Sequence, residues 1–177
     1  MNQYDFYVQF EGAIPHMYLD TKGNVTCGVG FLLTTLAQAR ALPWSPSRAV
    51  DTDWAELQHL PAGKLASFYG KHMDARLTED AMRAEFNKRC SEFETQLRRK
   101  IPQWLSFPEP VRVALRDMAY NMGAGFFGSP SWPRFTAAVL TRNWLEAAKQ
   151  CNRKDVQNAR NLATIDLFHQ AADLERP

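Results

Sequence analysis

Over residues 78–101 an apolar side chain returns at helical spacing, through Met82, Phe86, Cys90, Phe93, Leu97 and Ile101, until Pro102 forbids another turn. Thr78 supplies an N-cap, and Glu79 and Asp80 suit the positive end of the helix dipole. The reading is one helix over 78–101, about six turns long. In a chain of 177 residues, such a helix is long enough to run out of one lobe into another. What lies on either side of it therefore sets the fold class.

On its N-terminal side the periodicity changes twice. Residues 2–11 read as a short helix, with Phe6, Tyr7 and Phe10 on one face and Gly12 to end it; Pro15 bars a simple continuation. In residues 17–34, Tyr18, Val25, Cys27, Val29 and Phe31 stand among Asp20, Thr21, Gly23, Asn24, Gly28 and Gly30. Asp20-Thr21-Lys22-Gly23-Asn24 is turn chemistry, so this stretch reads as a hairpin with a third strand. Residues 36–76 open with a break at Leu42-Pro43-Trp44-Ser45-Pro46 and then suggest helices near 50–60 and 62–72, separated by Pro61-Ala62-Gly63.

Beyond the long helix the chain reads as helical throughout. Pro110 opens a helix carrying Val111, Ala114, Leu115, Met118 and Met122, which Gly123-Ala124-Gly125 closes; further helices are expected at 135–140, 143–150 and 159–172. No internal repeat or low-complexity segment interrupts the pattern. The fold class is α+β: one domain over 1–177, with a small N-terminal lobe (1–77) holding the hairpin, a connecting helix (78–101) and a larger helical lobe (102–177).

Composition narrows the function classes. Hydrophobic residues at 45% and charged residues at 23% describe a globular chain rather than a disordered one. A net charge of +2 and a pI of 8.5 are too weak to point to nucleic acid, and suit an anionic polymer or an ordinary surface equally well. Five Trp and eleven Phe imply a buried aromatic core or an aromatic-lined groove. Cys27, Cys90 and Cys151, odd in number and far apart, read as buried thiols rather than a disulfide framework. No His or Cys stands at metal-ligand spacing near them, so neither a metal nor a cofactor is expected. Residues 1–11 lack a basic n-region and an apolar h-region, so no cleavable signal peptide is expected; nor is any apolar run long enough for membrane insertion.

Two carboxylates flank the corner between the first helix and the hairpin. Glu11 closes the helix, Asp20 ends the first strand, and Thr26 lies on the returning strand. Glycoside hydrolysis uses such a pair, one acid to protonate the leaving oxygen and one carboxylate to activate water or attack the sugar. Among Phe6, Phe10 and Tyr18, Glu11 has apolar surroundings that suit a proton donor. Asp20, at an exposed turn, suits the ionised partner, and the Thr26 hydroxyl can hold a water. Each residue also has an ordinary explanation: a solvated helix end, a turn former, a β-former. Spacing alone leaves the choice open.

The run Glu11-Gly12, Tyr18-Leu19-Asp20 and Gly23-Asn24-Val25-Thr26-Cys27-Gly28-Val29-Gly30 resembles the active-site signature of the phage-type lysozymes, in which Glu, Asp and Thr stand at this spacing and the hairpin ends in Thr-x-Gly-x-Gly. Thr78-Glu79-Asp80-Ala81, Asp117-Met118-Ala119-Tyr120-Asn121-Met122-Gly123, and Arg160 followed by Leu167-Phe168 match later family positions in order. The resemblance implies a lysozyme-like fold and cleavage of the β-1,4 bond between N-acetylmuramic acid and N-acetylglucosamine in bacterial peptidoglycan, with inversion. It implies Glu11 as general acid, Asp20 as the carboxylate that activates water, and Thr26 as an aid in placing that water. It also implies that Arg160 orients Glu11, that Leu32, Tyr120 and Gln150 line the sugar groove, and that Asn121 lies near the catalytic water. Inversion calls for a carboxylate separation of roughly 6.5–9.5 Å.

The chain departs from the family pattern in three places. Gly30-Phe31 stands where many relatives have Gly-His, Arg160-Asn161 where a pair of arginines is common, and residues 36–76 are longer than in minimal members. That segment is either a wall of the groove, a surface for a partner, or a tolerated loop. Two other activities on the same scaffold stay open: a lytic transglycosylase, which needs no base for water, and a non-catalytic wall-binding module. A monomer is expected, made in the cytoplasm and acting on periplasmic peptidoglycan, either as a phage endolysin or as a secreted antibacterial effector with delivery machinery and a cognate inhibitor (immunity) protein.

Overall fold

The computed structural model describes residues 3–154 and 156–176. The chain forms two compact units, the first ending at Asn87 and the second beginning at Lys88.

In the first unit, α1 (Gln3–Glu11) ends where Gly12 takes a φ of +72° and donates its N–H to the Val8 carbonyl at 2.8 Å. Its buried face is Tyr4 and Tyr7, both edge-on to Phe86. Of the three aromatics expected there, Tyr7 is fully buried, while Phe6 and Phe10 are half-buried and pack edge to face on each other. The sheet that follows is an antiparallel meander of β1 (Ile14–Leu19), β2 (Val25–Gly28) and β3 (Phe31–Leu33), in that order. The third strand is present as expected. The first begins earlier than its alternation suggests, since Pro15 stands in an edge strand, where a missing N–H is tolerated.

Residues 36–76 form a folded layer rather than a loop. They contain α2 (Leu36–Arg40), capped by the Thr35 hydroxyl, a 3-10 turn (Ser47–Ala49), α3 (Val50–Leu57) and the single-turn α4 (Ala66–Tyr69). The helix expected over 50–60 stops at Leu57, and the one expected over 62–72 shrinks to one turn, because Gly63 at φ +71° prolongs the break that Pro61 begins. α2 has too few apolar residues to show a period. Polar contacts, local and long-range, hold the layer together. Trp44 is buried and donates its Nε1–H to the Ala39 carbonyl at 2.7 Å. The buried Asp53 carboxylate accepts the backbone N–H groups of Asp74 and Ala75. Leu77 N–H reaches the Pro15 carbonyl at 2.7 Å, and both α3 and α4 pack on β1.

The long helix, α5 (Glu79–Lys100), starts as expected, with the Thr78 hydroxyl accepting the Ala81 N–H at 3.1 Å. The second unit then carries α6 (Glu109–Met122), closed by Gly123 at φ +75°, α7 (Pro133–Leu140), α8 (Trp144–Gln150) with its Asn143 cap, and α9 (Asn158–Leu174). Leu97, Trp104, Leu115, Phe127, Phe135 and Phe168 are among its fully buried core residues. All three cysteines are buried thiols. Burial pushes the Cys90 thiol up to about 12 and the Cys151 thiol to about 11, which leaves neither as a nucleophile at neutral pH. Among the described residues no helix is long and apolar enough to cross a membrane, and no group of His, Cys, Asp and Glu is placed to hold a metal ion.

Candidate active site

Asp20 sits at the tip of the β1–β2 hairpin, in a turn that its own side chain organises. Its Oδ1 accepts the backbone N–H groups of Lys22 and Asn24, each at 2.8 Å, and its Oδ2 accepts the Asn24 side-chain amide at 3.0 Å. Partial burial works against ionisation, but the Asn24 and Lys22 donors and the Lys22 charge outweigh it and hold the carboxyl below its ordinary value. The Asp20 backbone is fixed as well. Its N–H donates to the Asn24 carbonyl at 3.0 Å, and its carbonyl accepts two amides, from Gly23 and from Gly63, each at 3.1 Å. The result is an ionised carboxylate with little freedom to turn.

Glu11, the last residue of α1, lies against the turn that joins β2 to β3. A Cβ at Gly30 would stand 3.0 Å from the Glu11 Oε2 and 3.2 Å from its Cδ, and Gly30 has a φ of +70°. Gly28, at φ +56°, has the Phe31 ring where a Cβ would be, 2.2 Å from Cε2. The two glycines of Thr26-x-Gly-x-Gly thus have separate physical reasons, one seating a carboxylate and the other an aromatic ring. Phe31 is fully buried, so the residue that replaces the common His belongs to the core.

Register places the third candidate. Tyr18 stands opposite Thr26, and Thr26 opposite Leu32, so these three side chains form a row across one face of the sheet. Thr26 is buried and donates its hydroxyl to the Asn24 carbonyl at 3.4 Å, which leaves the oxygen lone pairs to accept. Leu32 is exposed. Burial first, then the charges of Glu11, Cys27 and Asp20, push the Tyr18 phenol up to about 12. Tyr18 therefore lies within electrostatic reach of both carboxylates. The sequence places Tyr18 beside Glu11 only, although its i, i+2 relation to Asp20 on a strand puts the two on one face.

The remaining candidates belong to the second unit. Tyr120 is half-buried and packs edge to face on Phe93, and Asn121 is exposed next to the helix-ending Gly123. Gln150 lines a surface cleft of about 330 Å³ with Trp132, Arg134 and Asn152. Arg160 is not a surface residue. It is 3% exposed, and its Nε and Nη2 meet Asp117 Oδ1 at 2.9 and 2.8 Å. Arg153 and Thr164 hold Asp117 Oδ2 at 2.7 and 3.1 Å.

No curated protein matches the chain. The phage lysozyme family matches residues 8–166, a span that contains the Glu11 helix end, the Asp20 turn, the whole sheet and the buried Asp117 cluster. The chain belongs to the phage lysozyme family, and its α+β fold is lysozyme-like.

Proposed function

We propose that this chain is a muramidase that hydrolyses the β-1,4 bond between N-acetylmuramic acid and N-acetylglucosamine in bacterial peptidoglycan, with inversion. The family supports a lysozyme-like peptidoglycan hydrolase. The observation that carries the finer reading is the Asp20 carboxylate, held ionised by three N–H donors at one turn of the sheet whose next turn, at Gly30, seats Glu11.

In this reading Glu11 gives its proton to the glycosidic oxygen as the C1–O bond breaks. Asp20 takes a proton from a water whose oxygen forms the new bond to C1 from the opposite face. Thr26, its own proton committed to the Asn24 carbonyl, accepts the water's second hydrogen and aims the lone pair. Solvent then returns the proton from Asp20 to Glu11. The water needs a carboxylate separation of roughly 6.5–9.5 Å. Leu32, Tyr120, Asn121 and Gln150 are the sugar-binding candidates of this reading, and Arg160 is its orienting cation.

Product analysis tests it. Purified peptidoglycan is digested with wild type, Glu11→Gln and Asp20→Asn, and the fragments are read by mass spectrometry. New reducing ends at muramic acid, abolished in both variants, are expected. Anhydro-muramic ends would reassign the chain as a transglycosylase, and no cleavage by wild type across several wall chemotypes would make it a binding module.

A further inference from the structure

Residues 61–64 lie directly on the Asp20 turn. Gly63 donates its N–H to the Asp20 carbonyl at 3.1 Å, a Cβ at Gly63 would stand 3.6 Å from Thr21 Cα, and a Cβ at Gly23 would stand 3.8 Å from Ala62 Cβ. Of this four-residue stretch only Pro61 has its backbone restrained by its own ring. Its residues are exposed, and Gly63 is in the left-handed region. The Tyr69 side chain closes it. The Tyr69 hydroxyl donates to the Pro61 carbonyl at 2.7 Å and accepts the Lys64 N–H at 3.2 Å, bridging the two ends of the stretch. Tyr69 is fully buried, on α4, which packs against β1; its ring lies 5.3 Å from Phe68 and 6.4 Å from Tyr18. Next to it, the His16 ring of β1 bonds the Ala66 carbonyl at 2.8 Å. The clamp is therefore anchored to the same sheet that carries the candidate site.

We infer that Tyr69 is a positioning residue for Asp20: its hydroxyl holds the 61–64 stretch against the hairpin tip, and the Gly63 amide fixes the Asp20 backbone and so the direction of its carboxylate. The inference rests on the muramidase reading, in which Asp20 orients and deprotonates water. It gives the 36–76 layer a part in the chemistry without a contact to substrate. A catalytic carboxylate that swings by a fraction of an ångström loses its alignment with water and C1, whereas sugar binding does not depend on that angle.

Tyr69→Phe tests this directly. The ring keeps its packing, and Pro61 and Lys64, both exposed, exchange their lost bonds for water, so the fold survives. Two measurements are made on wild type and variant: amide hydrogen exchange at Lys22, Asn24 and Gly63, and steady-state kinetics on peptidoglycan. Faster exchange at all three amides, with kcat reduced by about 10- to 100-fold and KM within twofold of wild type, is expected. Gly63→Ala, strained at its positive φ, should reproduce the kinetic loss by a route that leaves Tyr69 intact. Unchanged exchange at Lys22 and Asn24 overturns the inference, as does an unchanged kcat in an active enzyme, or a loss in KM alone. Should wild type cleave no peptidoglycan, the muramidase reading falls. The exchange at Lys22 and Asn24, which reports the Asp20 carboxylate without turnover, then decides whether Tyr69 orders it.

Discussion

Glu11 Oε2 lies 3.0 Å from the place a Cβ would take on Gly30. The general acid proposed for this chain is therefore seated by the absence of a side chain, nineteen positions along, on a residue whose φ of +70° already favours glycine. Gly30→Ala should act in two ways. The left-handed backbone costs about 1–2 kcal/mol, read as a lowered Tm. The new methyl pushes the Glu11 carboxylate away, lowering kcat by about 10- to 100-fold with KM little changed. A variant that melts early but turns over at the wild-type rate in the cold would show that the contact does not position Glu11.

Gly28 makes the opposite kind of contact, with a ring rather than a carboxylate. Its missing Cβ would lie 2.2 and 2.4 Å from Phe31 Cε2 and Cδ2, and Phe31 is fully buried, so the ring has nowhere to retreat. Gly28→Ala is expected to cost about 2–4 kcal/mol of stability. In a Phe31→Leu background the same change should cost clearly less, and urea unfolding of the four proteins gives the coupling. Equal costs in both backgrounds would mean that backbone strain alone explains Gly28.

Local chemistry accounts for what was legible in the sequence. The Gly-Asn turn, the Thr78 cap, the Pro102 stop and the heptad-like run of the long helix act within a few residues, and the corresponding elements are present. Glu11, Asp20 and Thr26 could be named because their spacing matches a family signature. What escaped depends on partners far along the chain. Gly63 reaches Asp20 across 43 positions, the Asp53 carboxylate meets amides 21 and 22 positions on, and Arg160 meets Asp117. No periodicity announces such pairs. In the 36–76 layer the sequence shows two helices at wider bounds than they have and leaves the segment's role open, because its helices are short and its order comes from these bonds.

The Asp20 turn predicts a pH dependence. Donation from Asn24 and Lys22 holds the folded-state carboxyl below its unfolded value. The stabilisation is complete above the unfolded value and is lost as pH falls through the folded one. In the proposed role of base, Asp20 stays ionised further into acid than a free Asp would. Asn24→Ala removes the side-chain amide that donates at 3.0 Å. The Asp20 carboxyl should then titrate at higher pH by NMR, and the acid limb of kcat/KM should move upward with it. An acid limb that stays in place while the NMR titration moves would assign that limb to another group.

The second unit allows a sharper test of charge balance. Asp117, fully buried, is bonded by two guanidinium groups, Arg153 and Arg160, and by the Thr164 hydroxyl. Arg153 also donates its Nη2–H to Thr164 and its Nε–H to Asn161. Removing the anion takes from two buried guanidinium groups the carboxylate that both of them bond, so Asp117→Ala should cost about 3–5 kcal/mol. Arg153→Met keeps most of the volume and leaves Asp117 paired with Arg160, so it should cost less, about 1–3 kcal/mol. Chemical denaturation of the two variants gives the order. If Arg153→Met proved the more damaging, the hydrogen bonds of Arg153 to Asn161 and Thr164, rather than neutralisation of Asp117, would be what holds this core together.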